Sequence, residues 1–219
     1  MSIISDENPK SVIAESVKIL RTNLQFSNVD GNLKTVMITS SVPNEGKSFT
    51  TGNLAVAFAA LDKKVLIVDC DMRRGVQHKQ FELSNENGLS DLLINPNQEY
   101  EKYIKETSVK NVFLVSSGTV PPNPSELLSS KSFDDFLKFA REKFDLVIFD
   151  LPPVTVVPDA SIVATKVDKT VIVARVKVTP MEELEKTKKM LENVNANIAG
   201  VVLNGVKTSA KYYYNKYYN

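Results

Sequence analysis

Residues 41–48 read Ser-Val-Pro-Asn-Glu-Gly-Lys-Ser and stand between a short β-branched run at 35–39 (TVMIT) and a helix-forming stretch at 47–61. This is the P-loop pattern GxxxxGK[ST] with Ser41 in place of the first Gly. A strand that turns through such a loop into a helix gathers backbone N–H groups at one point, where the helix dipole favours negative charge. The chemistry it suits is phosphate binding. Gly46 lets the backbone approach closely, Lys47 neutralises β/γ-phosphate charge, and Ser48 offers a hydroxyl to Mg²⁺. Asn44 tolerates the left-handed backbone that closes the loop.

Working outward, short runs nearly continuous in apolar residues recur at 65–69 (VLIVD), 112–115, 146–150 (LVIFD), 170–174 (TVIVA) and 198–203 (IAGVVL). Strands buried on both faces have this composition, as parallel strands do. Helices fit between them at 47–61, 132–143, 158–165 and 181–193, the last with Glu182/Lys186 and Glu185/Lys189 spaced for ion pairs on a solvated face. The alternation predicts an α/β class: a mostly parallel central sheet flanked by helices on both faces, the P-loop NTPase fold. Residues 1–204 read as a single P-loop domain, and 205–219 as a flexible tail.

A P-loop needs carboxylates near its metal. Two strand ends supply them: Asp69-Cys70-Asp71, with Arg73 two residues on, and Asp150 in FDLVIFDLPP. Such residues can also cap a following helix, but in a parallel sheet ligands sit beyond the C-terminal strand ends, where all three elements would meet. Cys70, between two carboxylates, reads as a small packing residue, and His78 as a surface residue.

Composition narrows the classes further. The 219 residues carry 27 basic and 26 acidic side chains, one Cys and one His, which excludes a disulfide scaffold and any multi-Cys or multi-His metal site on one chain. A net charge of +1 offers no global argument for nucleic acid or membrane. No apolar stretch approaches the ~18 residues of a membrane span, and no secretion signal is seen, so a cytoplasmic protein is expected.

Two segments lie outside the alternation. Residues 11–26 place Ile13, Val17, Leu20 and Leu24 on one helical stripe, with Glu15 and Lys18 opposite and Arg21 on the flank. Residues 205–219 (GVKTSAKYYYNKYYN) hold five of the seven tyrosines, three lysines and no acid. A Tyr/Lys-rich end can also stack on single-stranded nucleic acid, although a tail alone seldom makes a specific groove.

The order S-x4-GKS, VLIVDCDMR, LVIFDLPP and a tyrosine-clustered C-terminus resembles the bacterial tyrosine kinases of capsule and exopolysaccharide synthesis, which belong to the deviant P-loop ATPases. Asp69, Asp71 and Arg73 match that family's Walker A′ element, Asp150 its Walker B strand, and PPNPSELL at 121–128 also looks like family sequence. Glu15-x2-Lys18-x2-Arg21 stands where members often carry E-x2-R-x2-R, used to build ring-shaped oligomers; lysine keeps the charge but loses the bidentate fork. The resemblance implies ATP and Mg²⁺ bound by Ser41, Pro43, Asn44, Glu45, Gly46, Lys47, Ser48, Phe49, Arg73 and Asn204. It implies metal contact from Ser48, Asp69 and Asp150, and catalysis by Lys47, Asp69, Asp71 and Asp150, with the base left open between Asp69 and Asp71. It further implies autophosphorylation between subunits on Tyr212, Tyr213, Tyr214, Tyr217 and Tyr218. A strand at 198–203 parallel to the P-loop strand would deliver that tail to the phosphate side, Tyr212 reaching roughly 26–29 Å past Asn204. Implied partners are a transmembrane activator (polysaccharide co-polymerase) on a separate chain, a homo-oligomer, protein tyrosine substrates and a tyrosine phosphatase, with no specific nucleic acid. Attachment would be peripheral, at the inner face of the cell membrane. The rival is a regulatory ATPase of the partitioning or division-site type, whose signature Lys would fall at Val42.

Overall fold

The strand–loop–helix unit around the P-loop forms the middle of the molecule. In the computed structural model, which describes residues 11–27, 33–95 and 99–207, β1 (Thr35–Ser40) is buried along its whole length and runs into the helix Lys47–Ala59. That helix is apolar on nearly all sides because it is covered on all sides: the sheet lies beneath it and an N-terminal helix, α1 (Val12–Phe26), lies above. The P-loop helix is therefore α2. Ser11 caps α1 by accepting the Ala14 N–H at 3.1 Å.

Beyond α2 come β2 (Val65–Asp69), the short helices α3 (Gln77–Gln80) and α4 (Leu89–Ile94), β3 (Lys105–Glu106) and β4 (Val112–Val115). There follow α5 (Pro124–Ser129), α6 (Lys131–Lys143), β5 (Leu146–Asp150), α7 (Asp159–Ala164), β6 (Lys169–Arg175), α8 (Met181–Glu192) and β7 (Ile198–Asn204). The seven strands are ordered β3-β4-β2-β5-β1-β6-β7, all parallel except the antiparallel edge pair β3–β4. The expected mostly parallel, doubly covered sheet is what forms.

The period-2 alternation divides the strand residues between two cores. Val36, Ile38, Val65, Ile67 and Ile148 pack with α1 and α2, while Met37, Leu66, Val68, Val147 and Phe149 pack with α4 to α7. Register then assembles the site: Asp150 pairs with Asp69 on one side and with Ile38 on the other, so the ends of β2, β5 and β1 lie side by side.

Three expectations need correction. The 198–203 run is an edge strand, not one buried on both faces: only β6 pairs with it, and Val201 and Leu203 are exposed. A bulge at Thr170/Val171 shifts its register, and Gly200 there takes φ +153°, a conformation glycine adopts without strain. On α1 the inward stripe is Ala14, Val17 and Leu24, with Leu20 partly covered, whereas Ile13 is exposed. On α8 the ion pairs are Glu183–Lys186 and Lys188–Glu192 in place of the two spacings expected. Among the described residues no helix is long and apolar enough to cross a membrane.

Candidate active site

The loop closes as its residue types require. Asn44 and Gly46 both take left-handed conformations, φ +65° and +97°. A Cβ on Gly46 would lie 1.9 Å from Asn204 Nδ2, so close approach as well as φ demands glycine. Gly46 is also the N-cap of α2, with no side chain to satisfy the helix's first N–H groups. Those donors stay available for an anion.

The loop is braced from β6 and β7. Asn204 Nδ2 donates to the Glu45 carbonyl at 2.9 Å, and Arg175 Nη1 to the Asn44 carbonyl at 3.1 Å. The Glu45 side chain is fully buried, accepting the Val42 N–H at 2.8 Å and the Thr179 hydroxyl. It thus turns inward and holds the loop's shape, and only its backbone belongs to the cradle. Ser41 is buried, its carbonyl accepting the Thr155 hydroxyl at 2.5 Å, and Phe49 is half-buried on the first turn of α2. β7 runs parallel to β1 through β6, and its end abuts the P-loop, so the chain does leave the sheet on the phosphate side.

Beside the loop opens a cleft of about 530 Å³ lined by Pro43, Asn44, Gly46, Lys47, Ser48, Asp71, Arg73 and Arg74, with Pro152, Pro153, Val156 and Val157 opposite. Asp69 and Asp150 lie fully buried at the end of the sheet. Asp69 Oδ2 accepts the Gln77 N–H at 3.0 Å and Oδ1 the Asp71 N–H at 3.3 Å. Burial, and then the Asp150 charge, push the Asp69 carboxyl well above the usual carboxylate range against those two bonds. Burial also raises Asp150, partly offset by the Lys47 charge and by hydrogen bonds from Ser48 and Gln77. The Cys70 thiol is pushed up by burial and the surrounding carboxylates, which suits the packing role expected of it. His78 is half-buried rather than on the surface.

Gln77 is the residue that sequence reasoning missed. Its Nε2 donates to Asp150 Oδ2 at 2.8 Å and to the Ser48 carbonyl at 3.1 Å, while its own N–H holds Asp69. One side chain thereby ties the ends of β2 and β5 to the start of α2. A Gln eight residues past Asp69 in a polar stretch carries no motif that would have flagged it. The same holds for Thr179 and Asp159. Asp159 is fully buried at the start of α7, accepting the Ser125 hydroxyl and lying 3.7 Å from Arg73 Nη2.

A divalent cation with a nucleotide suits this arrangement. Asp150 Oδ1 is buried and has no hydrogen-bond partner, beside a serine hydroxyl at the head of a helix whose N–H groups are uncommitted. Among the described residues no cluster of three His, Cys, Asp or Glu side chains could hold a metal by itself. Glu15 and Lys18 pair with each other at 2.7 Å, and Arg21 Nη1 donates to the Ala57 carbonyl at 2.8 Å. The five tail tyrosines, Tyr212 to Tyr218, lie outside the described residues.

The comparisons with known proteins agree with one another. The AAA domain family matches residues 33–202. The tyrosine-protein kinase YwqD of Bacillus subtilis is 39% identical over 216 residues, covering 99% of this chain and 91% of that one. Among solved structures, the chimerical protein CapA2B2 superposes with a TM-score of 0.90 at 38% identity, covering 94% of this chain and 90% of that one. The kinase domain of the Escherichia coli tyrosine kinase ETK gives 0.87 at 35%, covering 94% and 82%. The septum site-determining protein MinD of Pyrococcus horikoshii, solved with Mg-ADP, gives 0.66 at 22% over 82% and 73%, which shows the shared nucleotide-binding fold alone.

Proposed function

The chain belongs to the bacterial tyrosine-protein kinases built on a P-loop AAA domain, and on that premise we propose how its residues work and on what. The substrates are ATP and tyrosines of the chain's own C-terminal cluster, Tyr212, Tyr213, Tyr214, Tyr217 and Tyr218, phosphorylated between copies in a homo-oligomer. The outcome regulates capsular or exopolysaccharide synthesis and export. The observation that carries this is the convergence of Lys47 and Ser48 with Asp69, Asp71 and Asp150 at three neighbouring strand ends beside one cleft.

Mg-ATP, when bound, supplies the phosphoryl group and a cation that offsets its charge. The loop from Ser41 to Phe49 supplies the phosphate cradle, through the backbone of Pro43, Asn44, Glu45 and Gly46. Lys47 neutralises charge on the transferring group and Ser48, Asp69 and Asp150 serve the metal side. Asp71 lines the cleft, whereas Asp69 is buried behind it. This favours Asp71 as the base that takes the proton from the tyrosine hydroxyl, whose ordinary pKa of about 10 calls for one. The tyrosine oxygen–phosphorus bond forms as the bond to the β-phosphate oxygen breaks, and ADP leaves. Arg73 contributes charge at the cleft, and Asn204 braces the loop close to where a nucleotide base would extend.

The remaining partners of this reading are a transmembrane activator on a separate chain, which brings the kinase to the inner membrane face, other protein tyrosine substrates and an opposing phosphatase. Isotope-labelled Lys47→Met protein incubated with unlabelled wild type and Mg-ATP tests the proposal. Phosphotyrosine on the labelled tail, absent when the variant is alone, supports transfer between copies. ATP hydrolysis with no phosphotyrosine on either chain would point to a regulatory ATPase instead.

A further inference from the structure

The segment 121–128, PPNPSELL, supplies none of the phosphate-binding parts, yet the structure connects it to them. Pro124 opens α5, where its fixed backbone suits a first helical position, and Leu128 is fully buried. Ser125 between them is thereby turned onto α7: its hydroxyl donates to Asp159 Oδ1 at 2.5 Å. Asp159 is fully buried, and a carboxylate so placed needs a counter-charge. Among the described residues the cation paired with it is Arg73, with Nη2 3.7 Å from the same Oδ1, while Asp159 Oδ2 has no hydrogen-bond partner among them. Arg73 itself is 39% exposed in its side chain and lines the cleft with Lys47 and Asp71. A buried carboxylate, held by a hydroxyl from α5, thus stands directly behind a cleft-lining guanidinium.

We propose that Asp159, oriented by Ser125, is a positioning residue that aims the Arg73 guanidinium at the phosphoryl group in flight. An arginine on a free arm must give up rotamer freedom each time it engages an anion; one anchored from behind is aimed beforehand and can act when charge develops. The fork has five N–H donors, so those not facing Asp159 remain for the ligand. The unpartnered Oδ2 leaves room for the ion pair to become bidentate as Arg73 engages. Asp159 does not line the cleft, so its whole contribution passes through Arg73.

This inference rests on the kinase reading, and the test separates the two. Steady-state phosphorylation by the full chain is measured for Arg73→Ala, Asp159→Asn, the double variant, Ser125→Ala and Ser125→Thr, each checked by thermal melting. Asp159→Asn is expected to lower kcat about 10- to 100-fold, on the scale of losing a group that orients a metal ligand. The KM for ATP should move by less than about threefold, because the contact matters in the transition state. In the Arg73→Ala background the same substitution should cost nothing further, and Ser125→Thr, which keeps the hydroxyl, should restore what Ser125→Ala loses. An equal loss from Asp159→Asn with and without Arg73 would overturn the positioning role, as would an Arg73→Ala enzyme with unchanged kcat. Wild type that makes no Lys47-dependent phosphotyrosine would instead overturn the kinase reading itself.

Discussion

Replacing Asp69 by Asn removes one of two fully buried carboxylates that sit at register partners on β2 and β5. Neighbouring strands run about 4.8 Å apart, and two unit charges at that spacing repel by about 3 kcal/mol at the effective dielectric constant of a protein site. Asn keeps one acceptor for the two N–H groups that Asp69 receives, so the longer bond, from Asp71 at 3.3 Å, is the one forfeited. That loss costs about 1 kcal/mol. A net gain of about 1–2 kcal/mol is expected, or about 2–8 °C in Tm for a chain of this size. The sign with pH follows from the raised carboxyl. Below the ordinary value of 3.8 both folded and unfolded states are protonated and the wild type carries no penalty. The penalty builds as pH rises above that value and stops growing once Asp69 ionises in the folded state. Melting curves of nucleotide-free protein should therefore show a larger advantage for Asp69→Asn at pH 8 than at pH 5, while phosphotyrosine formation is lost. A variant that melts below wild type by the same margin at both pH values would refute the reasoning, because Asp69 would then act simply as a hydrogen-bond acceptor for its neighbours.

Gly46→Ala should weaken ATP binding at least about tenfold and lower stability by about 1–3 kcal/mol, since its Cβ meets Asn204 at 1.9 Å in a left-handed backbone; equilibrium binding of a fluorescent nucleotide and a melting curve report both. Gln77→Leu should cost about 1–3 kcal/mol, because it takes from buried Asp150 Oδ2 its Gln77 donor, while the Ser48 carbonyl keeps its place in the helix ladder; denaturant titration measures it. Asp168 is lowered although burial alone would raise it, because hydrogen bonds from Arg141 and the Lys34 and Thr35 N–H groups outweigh that burial. Asp168→Asn should cost about 1–2 kcal/mol after allowance for solvent screening at this partly exposed site. The deficit should be full well above the ordinary value of 3.8 and fade as pH falls through the depressed folded-state value, which paired melts at pH 7 and near pH 2 will show.

The central sheet was legible because each parallel strand carried its own evidence: β2, β4 and β5 form at the residues their apolar runs marked, β1 and β7 run one residue further at the C-terminal end, and β6 one residue further at each end. The phosphate loop and its carboxylates were legible for the same reason, since spacing fixes them on consecutive backbone. What was hidden is set by tertiary contact. The long-range side-chain contacts of Gln77, Thr179 and Asp159 reach across 29 to 134 residues of sequence, and a single polar side chain in a loop gives no sign of what it will face. β7 misled because its composition resembles a central strand, yet no eighth strand follows among the described residues to cover its outer edge. On α1, Ala14 is buried and Ile13 exposed, a small rotation of the apolar stripe that residue spacing alone does not reveal.

The most direct test of tyrosine kinase activity is site-resolved phosphotyrosine mapping by mass spectrometry after incubation with Mg-ATP, with and without the cytoplasmic segment of the proposed activator, on wild type and Lys47→Met. Phosphate on Tyr212, Tyr213, Tyr214, Tyr217 or Tyr218 in wild type and on none of them in the variant is the predicted result. Wild-type tails free of phosphate under both conditions, while ATP is still consumed, would contradict it.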